Sequence, residues 1–412
     1  MNQNSPLFTN DAVVLGILLA TLALIFYSTK IKSLERFYKI VPSILLCFFI
    51  PGLLSSFNII SASTSQLDET ASRFLLPTSL VFFTLSVDFA AIKRLGGRAL
   101  FVFFAGALGV MLGGPLGLWV GKMIDPSFLN RDGEEAWRGL ATIAGSWTGG
   151  NANQLALKEI FQPAPNIFAQ TSVIDVLFAE LWLGLLLYFV GKASIIDNKM
   201  KADASVIEEI RKKVELESAK QKNPTFQELV ILLAVGFGIT AIGHLVADTI
   251  SPFIEMNYPA LKAYSLASKS FWIVTIASFS GLILSTTRAR ELEKFGATKF
   301  GTLFLYILIA TIGMQLRIFD AFRNPMLFLV GFIWILTHAI FTVLAARLVR
   351  APFFFTAVGS QANVGGVASA SVVAAAFHPS LAPIGVLLAI LGNAIGTYCG
   401  YITGLVMQWI SN

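Results

Sequence analysis

Apolar residues along this chain come in long runs, with the polar positions collected between them. The runs fall at Ala12 to Tyr27, Tyr38 to Phe57, Phe74 to Ile92, Ala99 to Val120 and Ser172 to Val190. After a charged interval they resume at Phe226 to Val246, Phe271 to Leu284, Phe300 to Gln315, Met326 to Leu348 and Pro383 to Trp409. A helix needs about 20 apolar residues to cross a bilayer, and a run apolar on every face has no water-exposed side. The pattern therefore predicts an all-α polytopic membrane protein. Two further apolar stretches, Trp137 to Phe161 and Pro352 to Phe377, are interrupted by glycine pairs and do not read as plain spans.

The interval Lys192 to Thr225 mixes Lys199, Lys201, Arg211, Lys212, Lys213, Lys220 and Lys222 with Glu208, Glu209, Glu215 and Glu217. It reads as a solvated linker and divides the chain into 1–191, a first membrane repeat, 192–225, a cytoplasmic linker, and 226–412, a second repeat. The repeat is visible in the two interrupted stretches. Gly145-Ser146-Trp147-Thr148-Gly149-Gly150-Asn151 in one half matches Gly359-Ser360-Gln361-Ala362-Asn363-Val364-Gly365-Gly366 in the other. Each lies between the fourth and fifth plain runs of its half, and each is followed by a proline-containing turn, Pro163 and Pro165 or Pro379 and Pro383. Small residues also gather at helix contacts in membranes, so the matching positions carry more weight than the composition.

Charge placement orients the halves, because short basic loops stay on the cytoplasmic side. The loops with Lys30, Lys32, Arg36 and Lys39, and with Lys93, Arg94 and Arg98, are basic, whereas those at Asp68 and Glu69 and at Asp125, Asp132, Glu134 and Glu135 are acidic on balance. A retained first helix with its N-terminus outside satisfies this order. The linker and the loops of Arg288, Arg290 and Lys294 and of Arg347 and Arg350 fall inside only if each Gly-rich stretch enters and returns to the same side. Each half then has five crossings plus one re-entrant hairpin. Five is odd, so the second half is inverted relative to the first, and both termini are periplasmic.

Composition narrows the chemistry. Only 13% of the 412 residues are charged against 55% apolar, where soluble domains carry about 25% charged residues. The net charge of +6 belongs to membrane-flanking loops rather than to a nucleic-acid surface. Cys47 and Cys399 lie inside apolar runs and offer neither a disulfide framework nor a metal motif. No phosphate-binding loop, hydrolase elbow or dinucleotide fingerprint occurs, so no enzyme and no ATP-driven machine is expected.

Glycine breaks in mid-membrane are tolerated only where the backbone is buried in protein or lines a wet cavity. Interrupted helices there present free N–H groups to anions and free carbonyls to cations. Candidate solute-binding residues are therefore Ser146, Thr148, Gly149, Gly150, Asn151 and Asn153, with Gln154 beside them, and Ser360, Gln361, Asn363, Gly365 and Gly366, with Ser369 and Ser371 following. Ionisable groups inside a span cost a few kcal/mol each and so mark function. Asp175 and Glu180, five residues apart and on different helix faces, are candidates for ion coupling, and Asn393 occupies the corresponding span of the second half. His338 reads as a structural hydrogen-bonding residue, with titration as the lesser alternative, and Asp88 as a solvated or paired end charge. Pro77 with Thr78, and Thr311 with Gln315, are weaker polar breaks.

At GSWTGGNAN (Gly145 to Asn153) and GSQANVGG (Gly359 to Gly366) the chain resembles the YjcL-like family of uncharacterised integral membrane proteins, over nearly its whole length. Val367 stands where the resemblance leads one to look for proline. The resemblance implies a place in the cation:proton antiporter and anion transporter superfamily, beside sodium:glutamate and sodium:bile-acid symporters. It implies inverted repeats, a core that moves elevator-fashion against a scaffold, and a site at the two broken elements.

The expectation is an ion-coupled secondary transporter of the bacterial inner membrane. It would move a small polar solute, expected to be anionic, with sodium or protons as the coupling ion and no other cofactor. A homodimer through the scaffold is common in such folds. Two alternatives stay open: a cation:proton antiporter without an organic substrate, resting on Asp175 or Glu180, and a non-transporting sensor or scaffold whose linker binds a protein.

Overall fold

The structure is a computed structural model and describes residues 6–38, 41, 43–61, 64–131, 133–202, 207, 224–315 and 324–412. Most of the charged linker expected at 192–225, together with Lys39 and Asp132, lies outside these residues. All ten plain apolar runs are helices: α1 (Asp11–Ser28), α2 (Ser43–Ser56), α3 (Leu67–Leu85), α5 (Gly97–Ile124) and α8 (Pro165–Val190) in the first half, and α10 (Phe226–Asn257), α11 (Lys269–Ser285), α12 (Ala297–Gly313), α13 (Pro325–Leu348) and α16 (Ala382–Ser411) in the second. Short helices α4 (Phe89–Arg94) and α9 (Ala193–Met200) lie between them. Among the described residues six helices, α1, α5, α8, α10, α13 and α16, are long and apolar enough to cross a membrane unaided. The chain is a multi-pass membrane protein in which the shorter helices are supported by their neighbours.

Local chemistry sets the element ends. Asn10 accepts from the N–H groups of Ala12 and Val13 to start α1, and Thr225 and Glu228 form a reciprocal capping box that starts α10. Asp88 caps α4 by accepting from Ala91 N–H at 2.9 Å. A two-residue antiparallel pair, β1 (Asn130–Arg131) with β2 (Glu134–Glu135), closes the loop after α5.

The helices pack in two groups. In one, α3 lies against α10, α11 and α12, and α12 against α1 and α2. In the other, α5 packs along α13, and α16 along the two interrupted stretches. Each group takes helices from both halves of the chain, so the packing units do not coincide with 1–191 and 226–412. Small residues permit the closest approaches in the second group: a methyl on Gly113 of α5 would lie 2.8 Å from the Trp334 ring of α13, and one on Gly400 of α16 would lie 2.8 Å from the Gly145 nitrogen. In lipid, such van der Waals contact replaces the hydrophobic drive between helices.

Candidate functional site at two facing hairpin tips

The first interrupted stretch is a helical hairpin, α6 (Ala136–Gly149) and α7 (Asn151–Phe161). Gly150 makes the bend with φ 87° and ψ 179°, a backbone region open essentially to glycine alone. Trp137 and Phe161 stack edge-on with ring centroids 5.4 Å apart, and an Arg138 guanidinium N–H donates to Phe161 O at 2.6 Å. A straight helix would separate those ends by about 36 Å, so the arms fold back and return to their starting side. The second stretch, α14 (Phe353–Val364) and α15 (Gly366–Phe377), does the same. Its bend is at Gly365 and Gly366, the latter at φ 70°, and Phe354 meets Phe377 with centroids 5.2 Å apart.

The hairpins approach from opposite ends of α8. Near the start of that helix Asn166 donates to Glu134 at 2.9 Å, beside the base of the first hairpin. At its far end Phe189 packs on Phe353, the base of the second, with centroids 6.5 Å apart. The tips meet: a methyl on Gly150 would lie 3.6 Å from Gly366 Cα and 3.5 Å from Asn393 Oδ1 of α16. Next to Asn393, a methyl on Gly392 would lie 2.7 Å from Thr148 O and 3.3 Å from Ala362 O. The C-terminal carbonyls of both inward arms and the N-termini of both returning arms thus converge beside one stretch of α16.

Around the first tip, Asp175 is buried at 3% exposure and accepts from Trp147 Nε1 at 2.6 Å. Ser146 and Gln154 lie beside the same carboxylate, and Glu180 is its charged neighbour on α8. Asn153 is committed twice, donating to Gly149 O at 2.9 Å and accepting from Thr397 at 2.6 Å. Thr148 bonds back to Ala144 O at 2.7 Å. Asn151, the first residue after the bend, is half-buried.

Around the second tip, a directed chain of hydrogen bonds runs through His338, which has no exposed surface. Its Nδ1 faces Gly106 O at 2.9 Å, and a carbonyl only accepts, so Nδ1 carries the proton. In a neutral ring Nε2 is then the acceptor, and Ser360 donates to it at 2.7 Å. Ser360 in turn accepts from Trp182 Nε1 at 2.8 Å. Asn363 donates to Phe103 O at 2.9 Å and to Gly359 O at 3.2 Å, while its Oδ1 has no protein partner. Four more buried polar atoms on the two hairpins share that condition among the described residues: Gln154 Nε2, Thr356 Oγ1, Gln361 Oε1 and Ser369 Oγ. Buried groups of this kind are rare where nothing binds them, because each carries its full desolvation cost.

The sequence reading had passed over Trp147, Trp182 and the partners of His338. A tryptophan set among glycine and serine, as in Gly145-Ser146-Trp147, was the available signal. Of an open polar cavity of about 360 Å³ between the two helix groups, where Asp68, Ser72 and Pro77 of α3 face Lys158 and Glu159 of α7 across Val274 of α11, the sequence reading names only Pro77 as a weaker candidate. There Lys158 pairs with Asp68 at 3.4 Å and Glu159 at 3.2 Å, and Ser72 donates to Glu159 at 3.0 Å. Thr78, a weaker candidate, is tied to Thr240 at 2.9 Å inside the first helix group. Asp88 is held below the usual carboxylate range: partial burial works against this, but the Ala91 N–H and Arg290 prevail.

Residues 16–410 match the DUF819 family, described as protein of unknown function. The chain is also 22% identical over 358 residues, 84% of its own length and 85% of the relative's, to the uncharacterised membrane protein YjcL of Bacillus subtilis. The chain belongs to the DUF819 family.

Proposed function

We propose that this member of the DUF819 family is an ion-coupled secondary transporter of a small polar anion, working by alternating access in the bacterial inner membrane. One observation carries the reading: two helical hairpins from opposite ends of α8 meet tip to tip at Gly150 and Gly366. A packing motif has no use for two broken helices, each of which gives up backbone hydrogen bonds that lipid cannot replace. At the tips those groups have a use. The helix N-termini at Asn151 and Gly366 attract an anionic group, while the carbonyls of Thr148 and Ala362 and the Oδ1 of Asn393 suit a hard cation such as sodium. Asn151 and Gln361 flank the same region as neutral hydrogen-bonding groups. Asp175 is placed to respond to the ion through Ser146, Trp147 and Gln154 on the first hairpin.

The rest of the proposal joins this geometry to the charge pattern of the loops. The group holding both hairpins is the moving core and the group around α3 is the scaffold, in the manner of the cation:proton antiporter and anion transporter superfamily. The halves are inverted repeats, and the basic loops and the linker are cytoplasmic. The open cavity at Lys158 lies between core and scaffold and is the outward approach to the tips.

The test is uptake into proteoliposomes across small carboxylates, amino acids and sugars, with sodium replaced by choline at fixed ionic strength. Sodium-dependent uptake of an anion that fails in Asn151→Ala and Asn393→Ala is expected. Wild-type uptake by both variants would remove the site from the tips. Sodium or proton flux without any solute, lost in Asp175→Asn, would favour the antiporter reading, which the burial of Asp175 supports.

A further inference from the structure

A second cavity, of about 210 Å³, lies at the base of the second hairpin. Its walls come from α8, α9, α13 and α14, and its lining is almost wholly apolar, with Leu186, Phe189, Ile196 and Ala346 among the contributors. At its rim Leu185 and Val343 are 44% and 49% exposed on the outer faces of α8 and α13. Both helices are long and apolar enough to cross a membrane, so the opening faces the hydrocarbon. A cavity of this size and lining excludes water and takes an apolar group.

The cover of the cavity is α9, an amphipathic segment that turns Ile196 and Met200 inward. Asp197 on the same helix accepts from the Phe353 N–H at 2.7 Å, which pins α9 to the first turn of α14. Among the described residues the exposed charges flanking the lining elements are of one sign: Lys192, Lys199 and Lys201 on and beside α9, and Arg347 and Arg350 at the end of α13. Lys192 itself leans on Tyr188, its Nζ 4.3 Å from the ring centre. An apolar slot open to the bilayer under a basic rim is complementary to an anionic lipid, each cation near the surface adding attraction.

We propose that this cavity holds an acyl chain of an anionic phospholipid, with the headgroup on the basic rim. The site has a direct line to the second hairpin. Trp182 lines the cavity and donates to Ser360, and Thr356, one turn before Ser360, also lines it with a buried hydroxyl that lacks a protein partner. An occupying chain therefore bears on the tryptophan that holds Ser360, and lipid composition becomes an input to the hairpin tip.

The test is native mass spectrometry of the full-length protein in detergent, titrated with phosphatidylglycerol, phosphatidylcholine or free oleate. One tightly retained phosphatidylglycerol per chain is expected, with at least tenfold weaker retention of phosphatidylcholine. Ala346→Phe should fill the slot and remove that lipid. Val343→Trp, at a lipid-facing position, should do the same and serves where the buried substitution fails to fold. Lys199→Glu with Lys201→Glu should erase the headgroup preference. Equal retention of the two phospholipids, displacement of phosphatidylglycerol by equimolar oleate, or full retention in Val343→Trp overturns the proposal. None of these readouts depends on transport, so the lipid site and the transporter reading stand or fall separately.

Discussion

Gly150 shows how much one residue is asked to do. Its φ of 87° with ψ of 179° costs any residue with a Cβ of order 1–3 kcal/mol. The same Cβ would meet Gly366 and Asn393 at ordinary van der Waals distance, so the cost lies in the backbone. Gly150→Ala should therefore lower the thermal midpoint and abolish uptake together, and a variant with full uptake would show that the tip does not need this backbone bend. His338 presents a different constraint. His338→Phe removes the acceptor of the buried Ser360 hydroxyl and the side-chain donor to Gly106 O, at about 1–3 kcal/mol for each lost bond, whereas Gln can restore one of them. Uptake and stability should fall in the order wild type, Gln, Phe. Asp88 gives a pH test outside the membrane-spanning helices. Its folded pKa is lowered, so its contribution is complete above the usual carboxylate value of about 4 and disappears as pH falls through the lower folded value. The Arg290 pair at 2.5 Å is partly exposed, which limits it to about 1 kcal/mol or less. The midpoint difference between wild type and Asp88→Asn should be present at pH 7 and narrow below pH 4.

At the scale of elements, the informative contact is between α7 and α3. Lys158 reaches Asp68, and Glu159 receives Ser72, so the returning arm of the first hairpin is fastened by polar bonds to a helix of the other group. If core slides against scaffold, these bonds break in each cycle. Cysteines at Asp68 and Lys158 joined by a short thiol-reactive bridge should arrest uptake, with solute binding retained. Unchanged uptake in the bridged protein would exclude relative motion of α7 and α3. The two breaks, the Pro turns after them and the fold-back of each hairpin were all legible in the residues. Which polar side chains would be free at the tips was not. Asn153 and Asn363 look in sequence like Asn151, yet they are tied to Thr397 and to Phe103 O, 244 and 260 positions away. A buried amide takes whatever partner the packing brings, and sequence spacing does not encode that choice.

For the whole molecule, the division into two helix groups cuts across the division into halves. Neither half alone can bury α3 against α10, α11 and α12 or α16 against α6, since each contact joins the two. A chain cut within 203–223 should yield halves that copurify when coexpressed and that aggregate when expressed singly. A stable isolated half would contradict this packing. The sequence by itself determined where the ten helices lie and where two further stretches are broken, because lipid obliges each backbone segment to satisfy its own hydrogen bonds and so writes helices locally. It did not determine which faces meet. Helices apolar on every side carry no stripe to say what they pack against, so the meeting of Gly150 with Gly366, the chain from Trp182 through Ser360 to His338, and the lipid-facing slot beneath α9 were decided only when the helices were brought together.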